Sequence, residues 1–224
     1  MANERLGQRS VGVLGSGEVG RRLAAGFSKC GHRVMIGSRD PNKPEVREWL
    51  SDDEGAAIQA GTFAEAAAHG ELVVLAVLGN AAEQAIADAG PANFSGKVVI
   101  DAMNPLDFSG GFPPRLSIAG ADSLGERVQG ALPDARVVKA FNTIGNPYFV
   151  DPSFSEGRPT MLIAGNDDAA KRTVGAVLAD FGWPEPIDIG GIEGSRELEA
   201  MCIAWAKIGG ARGSFDHGFK VLTG

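Results

Sequence analysis

This chain of 224 residues has few of the residues that mark metal, disulfide or nucleic-acid chemistry. Its two cysteines, Cys30 and Cys202, lie far apart and belong to no paired motif, so we expect reduced thiols and no disulfide. Lys and Arg number 21 against 28 Asp and Glu. The net charge of −7 disfavours binding to nucleic acid or to an anionic membrane.

Long apolar segments are missing as well. No uninterrupted apolar run approaches the roughly 20 residues that a membrane-spanning helix needs. The opening MANERLGQRS has no apolar stretch of the kind found in secretory signals, so we expect a cytoplasmic protein. The three histidines, His32, His69 and His217, are scattered, and we predict no metal site. Only His217 is a candidate for a place near a second substrate.

What the sequence does contain is a regular alternation of short apolar runs with amphipathic segments. Runs such as SVGVL (10–14) predict buried strands, and residues 18–30 place Val19, Leu23 and Phe27 at helical spacing. Such alternation predicts an α/β fold, a doubly wound Rossmann-type, mostly parallel sheet. We expect a Rossmann domain over residues 1–190 and a small C-terminal helical element over 191–224.

The first strand runs directly into a glycine-rich turn that opens the first helix. A lone GxGxxG is weak, but this placement is the one in which the motif binds a dinucleotide pyrophosphate. The backbone amides and the positive end of the helix then face the phosphates. The motif consists of Gly15, Ser16, Gly17, Glu18, Val19 and Gly20.

The second strand, HRVMIG, lacks the terminal carboxylate that NAD-binding proteins use to hold the ribose hydroxyls. It continues instead into Ser38 and Arg39, and Lys43 follows four residues later. Ser38 can donate a hydrogen bond, and the Arg39 guanidinium suits a phosphate. We therefore predict NADP(H) as the cofactor. Asp40 is able to neutralise Arg39 in part, so NAD stays open as an alternative.

The segment 11–40 resembles the NADPH-dependent reductases of the deazaflavin coenzyme F420, and it is also similar to the NADPH-binding domain of the STEAP metalloreductases. The resemblance continues in VVIDAMNPL, VVKAFNTIG, MLIAGNDDAAKRTV, IDIGGIEGSRELEAM and DHGFKVL. It covers roughly residues 10–222. The chain departs from the reductases at Asn142, where they carry histidine, and at Gly145, where they carry proline.

This resemblance implies a set of cofactor-binding positions. Ser38, Arg39 and Lys43 fall where the family holds the 2′-phosphate. Three further groups fall at strand ends: under the dinucleotide, beside the nicotinamide, and facing the hydride-transfer site. They are Ala76, Val77 and Leu78; Asn104 and Pro105; and Ala140, Phe141 and Asn142. Core packing of Phe141 and a simple turn at Asn104–Pro105 stay open as alternatives.

The implied activity is hydride transfer between NADPH and a second redox carrier, namely F420 or a flavin. Such a reaction depends on alignment more than on a proton shuttle, and we identify no catalytic residue. The alternatives are an imine or carbonyl reductase of the pyrroline-carboxylate reductase type, and an NADP(H)-binding sensor or partner subunit without turnover. The last predicted helix is apolar on more than one side, so we also expect a homodimer.

Overall fold

A computed structural model describes residues 6–223 of the chain. The strands are β1 (Ser10–Leu14), β2 (Arg33–Gly37), β3 (Gln59–Gly61), β4 (Leu72–Leu75), β5 (Val98–Asp101), β6 (Leu106–Asp107), β7 (Arg115–Leu116), β8 (Arg136–Lys139), β9 (Leu162–Gly165) and β10 (Ile187–Asp188). The α-helices are α1 (Glu18–Lys29), α2 (Pro44–Ser51), α3 (Phe63–His69), α4 (Ala82–Ala89), α5 (Leu124–Ala131), α6 (Asp168–Asp180) and α7 (Ser195–Arg212).

Eight strands form one sheet in the order β10-β9-β8-β5-β4-β1-β2-β3, and β6 pairs with β7 separately. All pairs from β8 to β3 in that order are parallel. This confirms the predicted doubly wound, mostly parallel sheet. Strand β1 lies between β2 and β4, so the strand order reverses there. In open α/β sheets ligands bind beyond the carboxyl ends of the strands at such a reversal.

One pairing departs from the alternation expected for the second half of the chain. Strand β9 runs antiparallel to β8, whereas β10 is parallel to β9. Parallel neighbours need a crossover connection, which is usually a helix. The connection from β8 to β9 contains only a single 3₁₀ turn, Asn146–Tyr148, and no α-helix. The chain therefore returns on the same edge in the opposite direction.

Local sequence explains where several helices begin and end. Thr62 and Glu65 form a capping box at α3: Thr62 Oγ1 accepts from Glu65 N at 3.2 Å, and Glu65 Oε2 accepts from Thr62 N at 2.7 Å. Asp167 Oδ1 caps α6 by accepting from Ala170 N at 2.6 Å. After α6, Gly182 adopts a positive φ of 83°, which ends the helix as expected.

The hydrophobic core lies on both faces of the sheet. Phe27 of α1 and Phe181 pack on one face, and Phe94 and Ile86 on the other. Helix α7 packs against α5, β7 and β9. Among the helices of residues 6–223, none has the length and apolarity needed to cross a bilayer.

Candidate functional site

The glycine-rich loop between β1 and α1 adopts a geometry that only glycine tolerates at two positions. Gly15 has a φ of 129°, and a Cβ there would lie 2.3 Å from the carbonyl oxygen of Ala76. A Cβ on Gly20 would lie 1.8 Å from the carbonyl oxygen of Gly15. The first glycine thus lets the turn pass close to the end of β4, and the last lets α1 pack against the turn.

The start of α1 is open to a ligand. Gly17 is the N-cap, and within the described part of the chain no side chain bonds the first-turn amides and a Cβ built on Gly17 would meet nothing within 4 Å. The helix has 12 residues, so its unsatisfied amides and dipole present a positive end. The Glu18 carboxylate reaches sideways and accepts from Asn146 Nδ2 at 3.4 Å. These features suit a pyrophosphate over the loop.

The ends of β1 and β2 are joined by two serines. The Ser16 hydroxyl donates to Ser38 Oγ at 3.2 Å, and both side chains are buried. Gly15 N donates to the carbonyl of Gly37 at 3.0 Å, and Ser38 N donates to the carbonyl of Gly61 at 2.9 Å. Ser38 therefore links the glycine-rich loop to the end of β2, a role that its sequence position alone did not indicate.

The predicted 2′-phosphate residues lie beside this link. Arg39 is exposed, and within residues 6–223 its side chain makes no hydrogen bond or ion pair. No ion pair joins it to Asp40, whose carboxylate closes its own turn by accepting from Asn42 N at 2.9 Å. Lys43 is the N-cap residue of α2, and its side chain is half-buried. Among residues 6–223, no carboxylate binds either of these two cations at the end of β2.

Arg21 is a residue of this site that the sequence reasoning missed. Its Nη2 donates to the carbonyl oxygen of Glu45 at 2.7 Å, and its guanidinium lies 5.7 Å from the centre of the Trp49 ring. It thereby ties α1 to the first turn of α2, just after Lys43. The available signal was its position directly after the GxGxxG motif.

The predicted residues at the end of β4 line the same edge. Ala76 is buried, and its amide donates to the carbonyl of Leu14 at 2.8 Å. Val77 is half-buried, and Leu78 is 75% exposed. A leucine this exposed beside the glycine-rich loop offers an apolar surface to a flat ligand.

At the ends of β5 and β8, two asparagines form hydrogen bonds with each other. Asn142 Nδ2 donates to Asn104 Oδ1 at 3.0 Å, and Asn104 Nδ2 donates to the backbone oxygen of Asn142 at 2.9 Å. Asn142 Nδ2 also donates to the carbonyl of Leu198 in α7 at 2.9 Å. Asn142 Oδ1 is buried and has no partner among the described residues. Pro105 follows Asn104 and is buried.

The backbone turns sharply after β8. Ala140 is buried, and Phe141 has a positive φ of 65°, which is strained for a residue with a side chain. The Phe141 ring is buried against Phe149 and Phe181 at centroid distances of 5.4 and 5.9 Å. Its side chain therefore packs in the core, and only its backbone is available to a ligand.

A buried group of charges behind this edge was also missed. Lys139 Nζ lies 2.8 Å from Asp101 Oδ2 and 2.8 Å from Glu199 Oε1, and all three side chains are buried. Burial by itself lowers the pKa of Lys139, but the two carboxylates outweigh it and raise the pKa above its ordinary value. The signal was present in the sequence: VVKAF carries a lysine inside an apolar run.

His217 lies in the C-terminal segment against the loop after β8. Its ring stacks on Trp205 with centroids 5.2 Å apart, and its Nε2 lies 3.1 Å from the carbonyl oxygen of Trp205. Trp205 Nε1 in turn donates to the carbonyl of His217 at 3.1 Å. No group of metal-ligating side chains occurs in the part of the chain described.

Several known proteins resemble this chain in both sequence and fold. The family model described as NADP oxidoreductase, coenzyme F420-dependent, matches residues 10–105. An F420-dependent NADP reductase from Methanothermobacter thermautotrophicus is 31% identical over 198 residues, which cover 84% of this chain and 84% of that protein. A crystal structure from Arthrobacter sp. FB24, assigned as an F420-dependent NADP reductase, matches with a TM-score of 0.91 at 38% identity and covers 96% of this chain and 100% of that one.

The second resemblance is to part of a larger protein. The metalloreductase STEAP3 of Rattus norvegicus is 27% identical over 198 residues, which cover 85% of this chain. The chain spans only 36% of the length of STEAP3. The relatives confirm the resemblance stated from the sequence, and the reductases match over most of their own length. The chain belongs to the family of F420-dependent NADP reductases.

Proposed function

We propose that this protein transfers a hydride between NADPH and coenzyme F420, or a flavin of similar shape. The observation that carries the proposal is a glycine-rich loop that opens α1 beside Arg39, a cation without a partner among residues 6–223. That pair of features suits a dinucleotide with an additional phosphate. The relatives named as F420-dependent NADP reductases support the choice of acceptor.

The adenine half of NADPH would lie at the ends of β1 and β2. The amides of residues 16–20 bind the pyrophosphate, and Gly17 leaves it room. Arg39 and Lys43 contact the 2′-phosphate. Ser38 holds the loop and the end of β2 together through its bond with Ser16.

The nicotinamide half would cross the sheet to the ends of β4, β5 and β8. Ala76, Val77 and Leu78 lie beneath the dinucleotide. Asn104 and Asn142, which bond each other, stand beside the ring, with Pro105 next to them. Ala140 and Phe141 contribute backbone only, because both side chains are buried.

The bound nicotinamide supplies the hydride, which carries both electrons to the acceptor ring. Reduction of F420 also takes one proton, which water can deliver to an exposed acceptor. The protein's own task is therefore to align two rings and to keep the donor ring in one orientation. For this reason we propose no acid–base pair.

The test is to mix the purified protein with NADPH and, separately, F420, FMN and a cyclic imine. We expect NADPH absorbance to fall with F420 and not with the imine. Oxidation with the imine alone would instead indicate an imine reductase. Tight binding of NADPH without oxidation by any acceptor would indicate a sensor or a partner subunit.

We propose further that residues 1–190 form the NADP-binding domain and 191–224 a helical element that covers it. A homodimer is also proposed, because Ile208 of α7 and the nearby Phe112 and Phe215 are large apolar side chains with 38%, 54% and 45% exposure. We also propose a cytoplasmic location, and the net charge of −7 disfavours docking on an anionic membrane. Light scattering after size exclusion tests the dimer, and a mass equal to one chain would refute it.

A further inference from the structure

Helix α7 is held to the carboxyl edge of the sheet by a buried charge cluster, which consists of Asp101, Lys139 and Glu199. Lys139 Nζ contacts both carboxylates at 2.8 Å and also donates to the carbonyl of Met103 at 2.9 Å. The three side chains are 0–1% exposed. Replacing such a cluster by apolar side chains is often neutral or stabilising, so a role in positioning is a better account of it than stability.

Both carboxylate oxygens of Glu199 have partners: one contacts Lys139 inside the cluster, and both accept hydrogen bonds from backbone amides of α5. Oε1 contacts Lys139 and accepts from Gly125 N at 3.1 Å, and Oε2 accepts from Leu124 N at 3.0 Å. One side chain of α7 therefore fixes the first turn of α5 and the end of β8 at once. Glu199 is thus one of the residues that fix the position of α7, and the one that links the helix to the end of β8 through a buried charge.

The residue that precedes Glu199 reaches the proposed nicotinamide site. The carbonyl of Leu198 accepts from Asn142 Nδ2, which also donates to Asn104 Oδ1. Both N–H groups of the Asn142 amide are thus engaged, and the amide has one orientation that satisfies them. Its Oδ1 is left as a buried acceptor without a partner among the described residues.

A buried acceptor of this kind is costly unless a ligand satisfies it. The carboxamide of nicotinamide carries an NH₂ donor of the right type. Two adjacent residues of α7 thus influence the Asn142 side chain. Glu199 fixes the helix, and the Leu198 carbonyl orients the Asn142 amide by accepting its hydrogen bond.

From this arrangement we infer that Glu199 is a positioning residue, which orients Asn142 Oδ1 to accept a hydrogen bond from the nicotinamide carboxamide. The inference rests on the proposed function and adds to it a link between α7 and the orientation of the donor ring. Lys139 transmits the position of Glu199 to the ends of β5 and β8.

The experiment compares two ligands by calorimetry: NADPH, and 2′-phospho-ADP-ribose, which lacks the nicotinamide ring. Glu199→Gln should weaken NADPH about tenfold, the size of one good hydrogen bond. It should change the affinity for the fragment by less than about twofold, because the fragment does not reach Asn142. Asn142→Ala should give the same pattern.

If Glu199 acts through Asn142, the double variant should bind NADPH no more weakly than either single variant, within about twofold. Losses that multiply would overturn the inference, as would an equal loss for NADPH and the fragment. Should Glu199→Gln fail to fold, Glu199→Asp takes its place, because it keeps the charge on a shorter side chain.

Glu126→Gln is the matched control. Glu126 of α5 also holds α7, through an ion pair with Arg196 in which Arg196 Nε lies 2.8 Å from Glu126 Oε2, but it does not contact the cluster or Asn142. Glu126→Gln should leave the affinities for NADPH and for the fragment unchanged. A selective loss of affinity for NADPH in this variant would overturn the inference. These are binding measurements, so they stand even if wild-type protein fails to reduce F420, a result that would count against the proposed function alone.

Discussion

Arg39→Ala should weaken the preference of this protein for NADPH over NADH without harming its fold. The Arg39 side chain is exposed and makes no bond within residues 6–223, so its removal leaves no partner unsatisfied. The neighbouring turn survives, because Asp40 closes it by its own bond to Asn42 N. The loss is then the contact with the 2′-phosphate itself.

The size of the effect follows from that contact. A hydrogen bond between charged groups contributes about 1.5–3 kcal/mol. This corresponds to about a tenfold to hundredfold rise in the Kd of NADPH. NADH has no 2′-phosphate, so its Kd should change by less than about twofold. The preference for NADPH should also weaken as salt is raised, because the contact is exposed and therefore screened.

The assay is titration of both dinucleotides at two salt concentrations. Arg172→Ala serves as the control, because Arg172 is an exposed arginine of α6 and its removal changes the net charge equally. Equal weakening of NADPH and NADH by Arg39→Ala would refute the assignment. So would an Arg172→Ala variant that loses NADPH to the same extent.

Three further substitutions test the glycine-rich loop, the buried charge cluster and a buried histidine. Gly20→Ala should abolish dinucleotide binding and lower the free energy of unfolding by about 1–3 kcal/mol, because its Cβ would overlap the carbonyl oxygen of Gly15; titration and urea melts test this. Lys139→Met should cost about 3–5 kcal/mol in urea melts, because two buried carboxylates lose their cation, whereas a variant as stable as wild type would contradict the cluster. Burial lowers the pKa of His32 from 6.5, and its Nδ1 accepts from Arg9 N at 3.1 Å. Because the pKa of His32 is lower in the folded protein than in the unfolded one, the stability that neutral His32 contributes is present above pH 6.5 and is lost as the pH falls through the folded pKa. His32→Asn should therefore flatten that part of the pH–stability profile.

The parts of the molecule that could be predicted are those governed by local spacing. The glycine-rich loop, the helix caps and the apolar strands each depend on residues close in sequence, and the sheet followed from their alternation. The antiparallel β9 could not be predicted in the same way, because it depends on the absence of a helix between residues 140 and 161. A long irregular connection leaves no periodic pattern to detect.

Contacts between residues far apart in the sequence could not be predicted either, for a related reason. Ser16 and Ser38 meet only because β1 and β2 are neighbours, and Lys139 meets Glu199 across 60 residues of chain (139 to 199). The apolar run around Lys139 contains the signal of a buried charge, which the sequence prediction did not use, and nothing in that run identifies the partners of the lysine. Phe141 looked like a ligand-facing aromatic, and its positive φ turns the ring into the core instead.

The hydrogen bond between the Ser16 and Ser38 hydroxyls bears on how the site recognises the spacing of two phosphates in one molecule. It joins the loop proposed for the pyrophosphate to the strand end proposed for the 2′-phosphate. Two anion subsites on one rigid frame act as a chelator: once the first phosphate is bound, the second arrives at a high effective concentration. Such a frame selects for the distance between two phosphates, so that two separate phosphate ions would be a poor substitute for one molecule that carries both.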